Sequence, residues 1–191
     1  MNMLRQTLAG LLLLLAFTLV FGLGYPLLMT GVGQVAFHDQ ANGSLVQLDG
    51  KDVGSSLIGQ EFKGAQWFQP RPSASSYDAL ASGGTNLGPN NPDLVKAIQK
   101  AKAAITAQDG VSPSQVPPDA VTSSGSGLDP HISPAYADLQ VARVAKASGM
   151  SVADVQKLVD AHTQGRILGF LGEPRVNVLE LNLALTEQTG Q

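Results

Sequence analysis

From Leu8 to Met29 the chain runs for 22 residues without a charge, and ten of these are leucine. A helix needs ~20 residues to cross the hydrocarbon layer of a bilayer, so this run is long enough to span one. Scoring the leucines with Phe17, Val20 and Phe21 on an insertion scale gives about −4 to −8 kcal/mol, an upper limit because central positions count most. That outweighs Pro26 and the glycines. Pro26 lies near the outer end of the run, where a kink or a helix stop is tolerated because freed backbone groups meet water or protein. Arg5 precedes the run and the next charges are Asp39 and Asp49. The basic bias therefore places residues 1–7 in the cytoplasm, residues 8–29 in the membrane and the remainder outside. A cleaved signal peptide is the competing reading, since Gly22-Leu23-Gly24 offers small residues after a leucine-rich core. Against it, the apolar run continues through Leu27, Leu28 and Met29, beyond a signal core of ~7 to 15 residues. The run holds no Gly-x-x-x-Gly pair, so close self-association through that motif is not indicated.

The rest of the 191 residues suffice for one soluble domain, of α+β class, over 43–191, joined by a connection at 30–42. Eleven of the twelve basic and all fifteen acidic residues lie beyond Arg5. This mild acidity gives no footprint for nucleic acid. Cysteine is absent, which excludes disulfides, thiolate metal sites and cysteine nucleophiles. His38, His131 and His162 stand too far apart for a helical two-histidine metal site.

Local signals divide the domain. Ser44–Leu48 reads as a strand closed by Asp49-Gly50. A helical turn and a strand near Trp67 follow, ended by Pro70-Arg71-Pro72. Asn91, Pro92 and Asp93 open a helix running to about Ala107. The stretch Asp109–Ser133 is too long for a plain connection and implies a buried or partner-bound loop. Ser133 and Pro134 open a second helix that stops at Gly149, and Ser151 with Asp154 opens a third that stops at Gly165. Val176–Leu185 alternates apolar and polar residues with a slip at Leu179, predicting a bulged strand.

Chemical motifs are sparse. Gly54–Gly59 has phosphate-loop spacing, but Gln60 and Glu61 stand where Lys and Ser or Thr are required. Ser82-Gly83-Gly84-Thr85-Asn86 offers consecutive amides for an anion nest if its glycines take positive φ. Ser126, Asp129 and His131 supply the residue types of a hydrolase, without nucleophile-elbow spacing. Asp129 also suits a turn stiffened by Pro130, its carboxylate accepting backbone N–H groups. His162, one turn after Leu158, reads as structural.

Four blocks carry a resemblance: Trp67-Phe-Gln-Pro-Arg-Pro-Ser73, Ser82-Gly-Gly-Thr-Asn-Leu-Gly88, Ser124-Gly-Ser-Gly-Leu-Asp-Pro-His-Ile-Ser133 and Gly172-Glu-Pro-Arg-Val-Asn-Val-Leu179. Together they closely resemble KdpC, the C subunit of the bacterial Kdp potassium-transporting P-type ATPase. The resemblance spans nearly the whole chain, anchor included. It implies an accessory, noncatalytic subunit in the inner membrane, partnered by a catalytic P-type ATPase subunit, which hydrolyses ATP through a phosphorylated aspartate, and by a potassium-channel-like subunit. The Asp-Lys-Thr-Gly phosphorylation motif is absent from this chain. The family is described as a catalytic chaperone raising ATP affinity, which the resemblance would assign to Ser82, Gly83, Gly84, Thr85 and Asn86. Ala81 and Thr85 depart from the Leu-Ser-Gly-Gly-Gln signature to which that stretch is likened. An outer domain cannot touch cytoplasmic ATP, so ATP enters through the catalytic subunit, and an interface or structural role falls to Arg71, Ser126, Asp129, Pro130, His131 and Arg143. The rival reading is a membrane-anchored periplasmic hydrolase using Ser126, His131 and Asp129.

Overall fold

A computed structural model describes residues 3–190, which divide into two compact units, the first ending at Leu45 and the second beginning at Val46.

The first unit is built on one long helix. Helix α1 (Met3–Leu19) passes through a π turn (Val20–Gly24) into α2 (Tyr25–Ala36). None of its described residues is buried, and as a whole it is long and apolar enough to cross a membrane. At Pro26, where a kink or a stop would be tolerated, the helix continues after a π turn. Proline lacks an N–H and crowds the preceding turn, and the π turn immediately before it is where the ladder widens, the Tyr25 N–H reaching back to the Val20 carbonyl. The helix also outruns its expected end: residues 30–36 are helical rather than connecting, and α3 (His38–Ala41) follows at once. The Asn42 side chain exchanges hydrogen bonds with Gln34 at 3.1 and 3.2 Å, tying α3 back onto the end of α2.

The hairpin β1 (Leu45–Leu48) and β2 (Lys51–Ser55), whose first residue is the last of the first unit, leads into the second. Asp49 and Gly50, at φ 51° and 72°, form its two-residue turn, as the Asp-Gly pair predicts. Helix α4 (Pro92–Asp109) starts where Asn91 accepts the Asp93 N–H at 2.8 Å. The long stretch after it is partly structured and inward-facing: α5 (Pro118–Val121) buries Ala120, and Val116 and Leu128 are buried too. Helices α6 (Pro134–Ser148) and α7 (Val152–His162) are capped by Ser133 and Ser151. Three short antiparallel strands lie beside them in the order β3 (His131–Ile132), β5 (Arg175–Asn177), β4 (Thr163–Gln164). His131 pairs with Asn177 and Ile132 with Val176, while Thr163 pairs with Val176. Strand β4 takes up the chain before the expected helix stop at Gly165.

The bulged strand expected over Val176–Leu185 is instead β5 followed by α8 (Val178–Thr189). Asn177 ends the strand and caps the helix, its Oδ1 accepting the N–H groups of Leu179 and Glu180. Val178, Leu181 and Leu185 then fall on one buried helical face with Asn182.

The core joins Phe68, Val141, Val144, Val155, Val159, Val176, Leu181 and Leu185. No strand forms near Trp67, because the backbone there is served by side chains. Asn182 of α8 accepts the Phe68 N–H at 2.9 Å and donates to its carbonyl at 3.0 Å. Gln140 of α6 does the same for Gln69, at 2.6 and 3.2 Å. Two buried amides thus stand in for a neighbouring strand, satisfying groups that are costly to bury unpaired.

Candidate functional site

All four sequence blocks meet in the second unit. Arg71, placed by the anchored segment 67–69, donates Nη1–H to Asp129 Oδ2 at 3.0 Å and Nη2–H to the Thr122 carbonyl at 3.4 Å. Asp129 Oδ1 accepts the His131 N–H at 3.0 Å, the turn that Pro130 predicts, and lies 3.4 Å from His131 Nδ1. The His131 ring contact does most to hold the Asp129 carboxyl below the usual carboxylate range, its backbone N–H and then Arg71 adding to this against the opposing effect of burial. Tyr77 closes the Arg71 segment, its hydroxyl donating to the Arg71 carbonyl at 2.6 Å; burial first, and Glu61 second, push its pKa up to about 12.

The glycine blocks pack backbone on backbone. Gly83 N–H donates to the Ser126 carbonyl at 2.8 Å, and Ser73 Oγ to the Gly127 carbonyl at 2.6 Å. A Cβ on Gly84 would sit 3.2 Å from the Gly125 oxygen, and one on Gly127, at φ 68°, 2.8 Å from the Gly83 oxygen. Neither Gly83 nor Gly84 takes the positive φ that an anion nest requires; Asn86 does, at 53°. What these glycines permit is the close approach of one backbone to another. Gly59 belongs to the same packing: its N–H donates to the Leu128 carbonyl, and a Cβ there would lie 2.7 Å from the Asp129 oxygen. The phosphate-loop spacing thus resolves into a close contact.

The fourth block completes a cleft of about 510 Å³ lined by Arg71, Pro118, Asp119, Asp129, His131, Ile132, Ser133, Glu173, Pro174 and Arg175. Asp119 carries no distinctive local signal, and Glu173 and Arg175, though they stand in the fourth block, are recognisable as site residues only once the strands are paired. Asp119 holds the cap of α6, accepting from Ser133 N at 2.7 Å and Ser133 Oγ at 2.9 Å. The cleft therefore presents two guanidinium groups and three carboxylates on a stiff frame. That suits recognition of a charged surface.

Arg143 lies elsewhere. Its guanidinium is buried against Asp109 at 2.6 Å and donates to the carbonyls of Ala65 and Trp67 and to Gln140, so it braces α4 to α6 rather than lining the cleft. The hydrolase arrangement is not formed. Ser126 Oγ accepts the Leu128 N–H at 3.1 Å and lies 3.2 Å from Ser124 Oγ, and among the described residues no hydrogen bond joins it to His131. His162 Nδ1 sits 2.9 Å from the Leu158 carbonyl, in a structural role. Among the described residues no cluster of three metal-ligating side chains occurs.

The family model described as "KdpC: K+-transporting ATPase, c chain" matches residues 7–187. Curated relatives agree along nearly their whole length. A potassium-transporting ATPase KdpC subunit of Kineococcus radiotolerans is 59% identical over 186 residues, covering 96% of this chain and 94% of the relative. Proteins of the same name from Caldanaerobacter subterraneus and Mycobacterium bovis are 54% and 52% identical, covering 90% and 95% of this chain and 92% and 97% of theirs. The apolar N-terminal helix, the small mixed domain and these matches together place the chain in the KdpC family of K+-transporting ATPase c chains.

Proposed function

We propose that this chain is the noncatalytic accessory subunit of an ATP-driven potassium uptake pump, anchored by its one apolar helix and docking through the cleft around Arg71, Asp129 and His131. Its partners are the catalytic P-type ATPase subunit and the potassium-channel-like subunit. With Arg5 on the cytoplasmic side, the folded domain stands outside the inner membrane, in keeping with the basic bias of the first residues. The observation that carries the interface reading is the convergence of three blocks, distant in sequence, on one charged cleft in which Arg71 and His131 are both held by Asp129. A hydrolase needs a nucleophile within reach of its base; a docking surface needs fixed charges on a stiff frame.

An ATP-contacting role for Ser82–Asn86 fits this arrangement poorly. ATP lies across the membrane from the domain, and Gly83 N–H is already spent on the Ser126 carbonyl. Replacing Ser82–Asn86 with alanines should leave the ATP concentration dependence of the pump unaltered; a weakened apparent ATP affinity would restore the nucleotide role.

Reversal of charge at the cleft tests the interface. Arg175→Glu in the full chain should fold, as judged by unchanged Trp67 emission, yet recover much less of the two larger subunits on co-purification. Undiminished recovery together with full potassium-stimulated ATP hydrolysis would remove the cleft from the interface.

A further inference from the structure

Between β4 and β5 the chain forms a small projecting hairpin, Arg166–Glu173. Its stem is closed by backbone bonds between Ile167 and Leu171 at 2.9 Å in both directions and by an ion pair from Arg166 to Glu173 at 2.7 Å. Leu168 and Gly169 turn at φ 55° and 81°. Leucine enters that region only at a cost, so the turn is a fixed shape and not a slack loop. Its side chains are the surprise for a water-facing element: Ile167, Leu168, Phe170 and Leu171 are 59, 79, 71 and 53% exposed.

We propose that this hairpin tip inserts into the lipid leaflet on the domain's own side of the membrane. Three observations favour lipid over a protein groove. First, side chains alternate across a hairpin, yet here both faces and the tip are apolar. A flat partner surface would cover one face and leave the other wet, whereas immersion covers all of them. Second, a charged pair bounds the apolar tip, Arg166 one residue before Ile167 and Glu173 two residues after Leu171, so that immersing the tip can leave both charges among the headgroups. Third, the domain is already confined to the membrane surface. The segment Phe37–Ser44 spans at most about 30 Å if fully extended, and less here because α3 is bonded back onto α2. A weak apolar insertion becomes effective when a covalent tether has already met the cost of bringing the partners together. The inference requires that the anchor span a bilayer, but not the direction in which it does so and not the cleft as an interface, so it stands or falls apart from the reading above.

The absence of cysteine makes the test clean. Leu168→Cys in the full chain, labelled with an environment-sensitive nitrobenzoxadiazole dye and placed in phosphatidylcholine discs, should emit at shorter wavelength than the same label at Lys100→Cys on α4. It should lose intensity when the lipid carries bromine near the top of its acyl chains, and the Lys100→Cys label should not. Adding Phe170→Glu should lower that quenching severalfold. The quenching should persist when the labelled chain is assembled with the larger pump subunits. No quenching in discs overturns the proposal, and so does quenching that vanishes on assembly, which would assign the tip to a protein partner.

Discussion

The buried pair of Arg143 and Asp109 is where a single change should do most harm. The two side chains are 7% and 3% exposed, and the guanidinium also serves the carbonyls of Ala65 and Trp67 at 2.5 and 2.9 Å. Asp109→Ala removes the counter-charge and strands a cation in the core, a loss of about 3–5 kcal/mol. For a domain of this size each kcal/mol lowers the melting temperature by about 2–4 °C, so a fall of about 6–20 °C is expected. Arg143→Met should cost a similar amount, because Asp109 then loses its partner and the carbonyls of Ala65 and Trp67 lose a donor. Combining Arg143→Met with Asp109→Leu should cost well under the sum of the single changes, with a coupling above about 2 kcal/mol, since a buried pair replaced by apolar side chains leaves no orphan charge. Trp67 is the chain's single tryptophan and its carbonyl accepts from Arg143, so its fluorescence during thermal unfolding of the full chain in micelles reports the event directly. A loss below about 1 kcal/mol for Asp109→Ala would mean that the pair is as well hydrated as a surface bridge, and the bracing role would be wrong.

Asp129 makes stability depend on acid. Its pKa is lower in the folded chain than in the unfolded one, so its contribution is complete above the ordinary carboxylate value of ~3.9 and is lost as pH falls through the depressed folded value. Asp129→Asn should therefore be less stable than the parent near pH 6, with the gap closing in strong acid; denaturant midpoints across that range would show it. Gly127→Ala forces a side chain into positive φ and against the Gly83 oxygen, for a loss of about 2–4 kcal/mol in denaturant unfolding. Asn182→Ala leaves both backbone groups of Phe68 unpaired in the core and should cost about 2–5 kcal/mol by the same measurement.

Elements whose signals are local were legible from sequence. Asn91, Ser133 and Ser151 each cap a helix using groups within three residues, and Asp49-Gly50 makes its turn unaided. Val176–Leu185 was misread because Asn182 occupies the buried face of α8. A polar residue in the middle of the apolar stripe breaks the helical period and mimics alternation, and its reason for being there is Phe68, far away in the chain. The same pairing explains why no strand forms near Trp67. In the site, the Asp129 turn was readable, being closed two residues later at His131. The Arg71 partnership was not, because it joins residues 58 apart, and the glycine blocks suggested a nest when their task is to let two backbones touch. Arg143, expected beside Arg71 and Asp129 in an interface or structural role, is drawn into the core by Asp109.

The clasp on Phe68 has a consequence for how such a chain is made. Its two halves lie 114 residues apart, so although Gln69 can already meet Gln140 of α6, the backbone of Phe68 has no clasp until α8 has been synthesised. Contacts of such long range form late. The apolar N-terminal helix is made first, and the clasp on Phe68 stays open until α8 arrives. A nascent chain cut short before α8 would lack the Asn182 half of the clasp and leave the Phe68 N–H and carbonyl without these partners in the core.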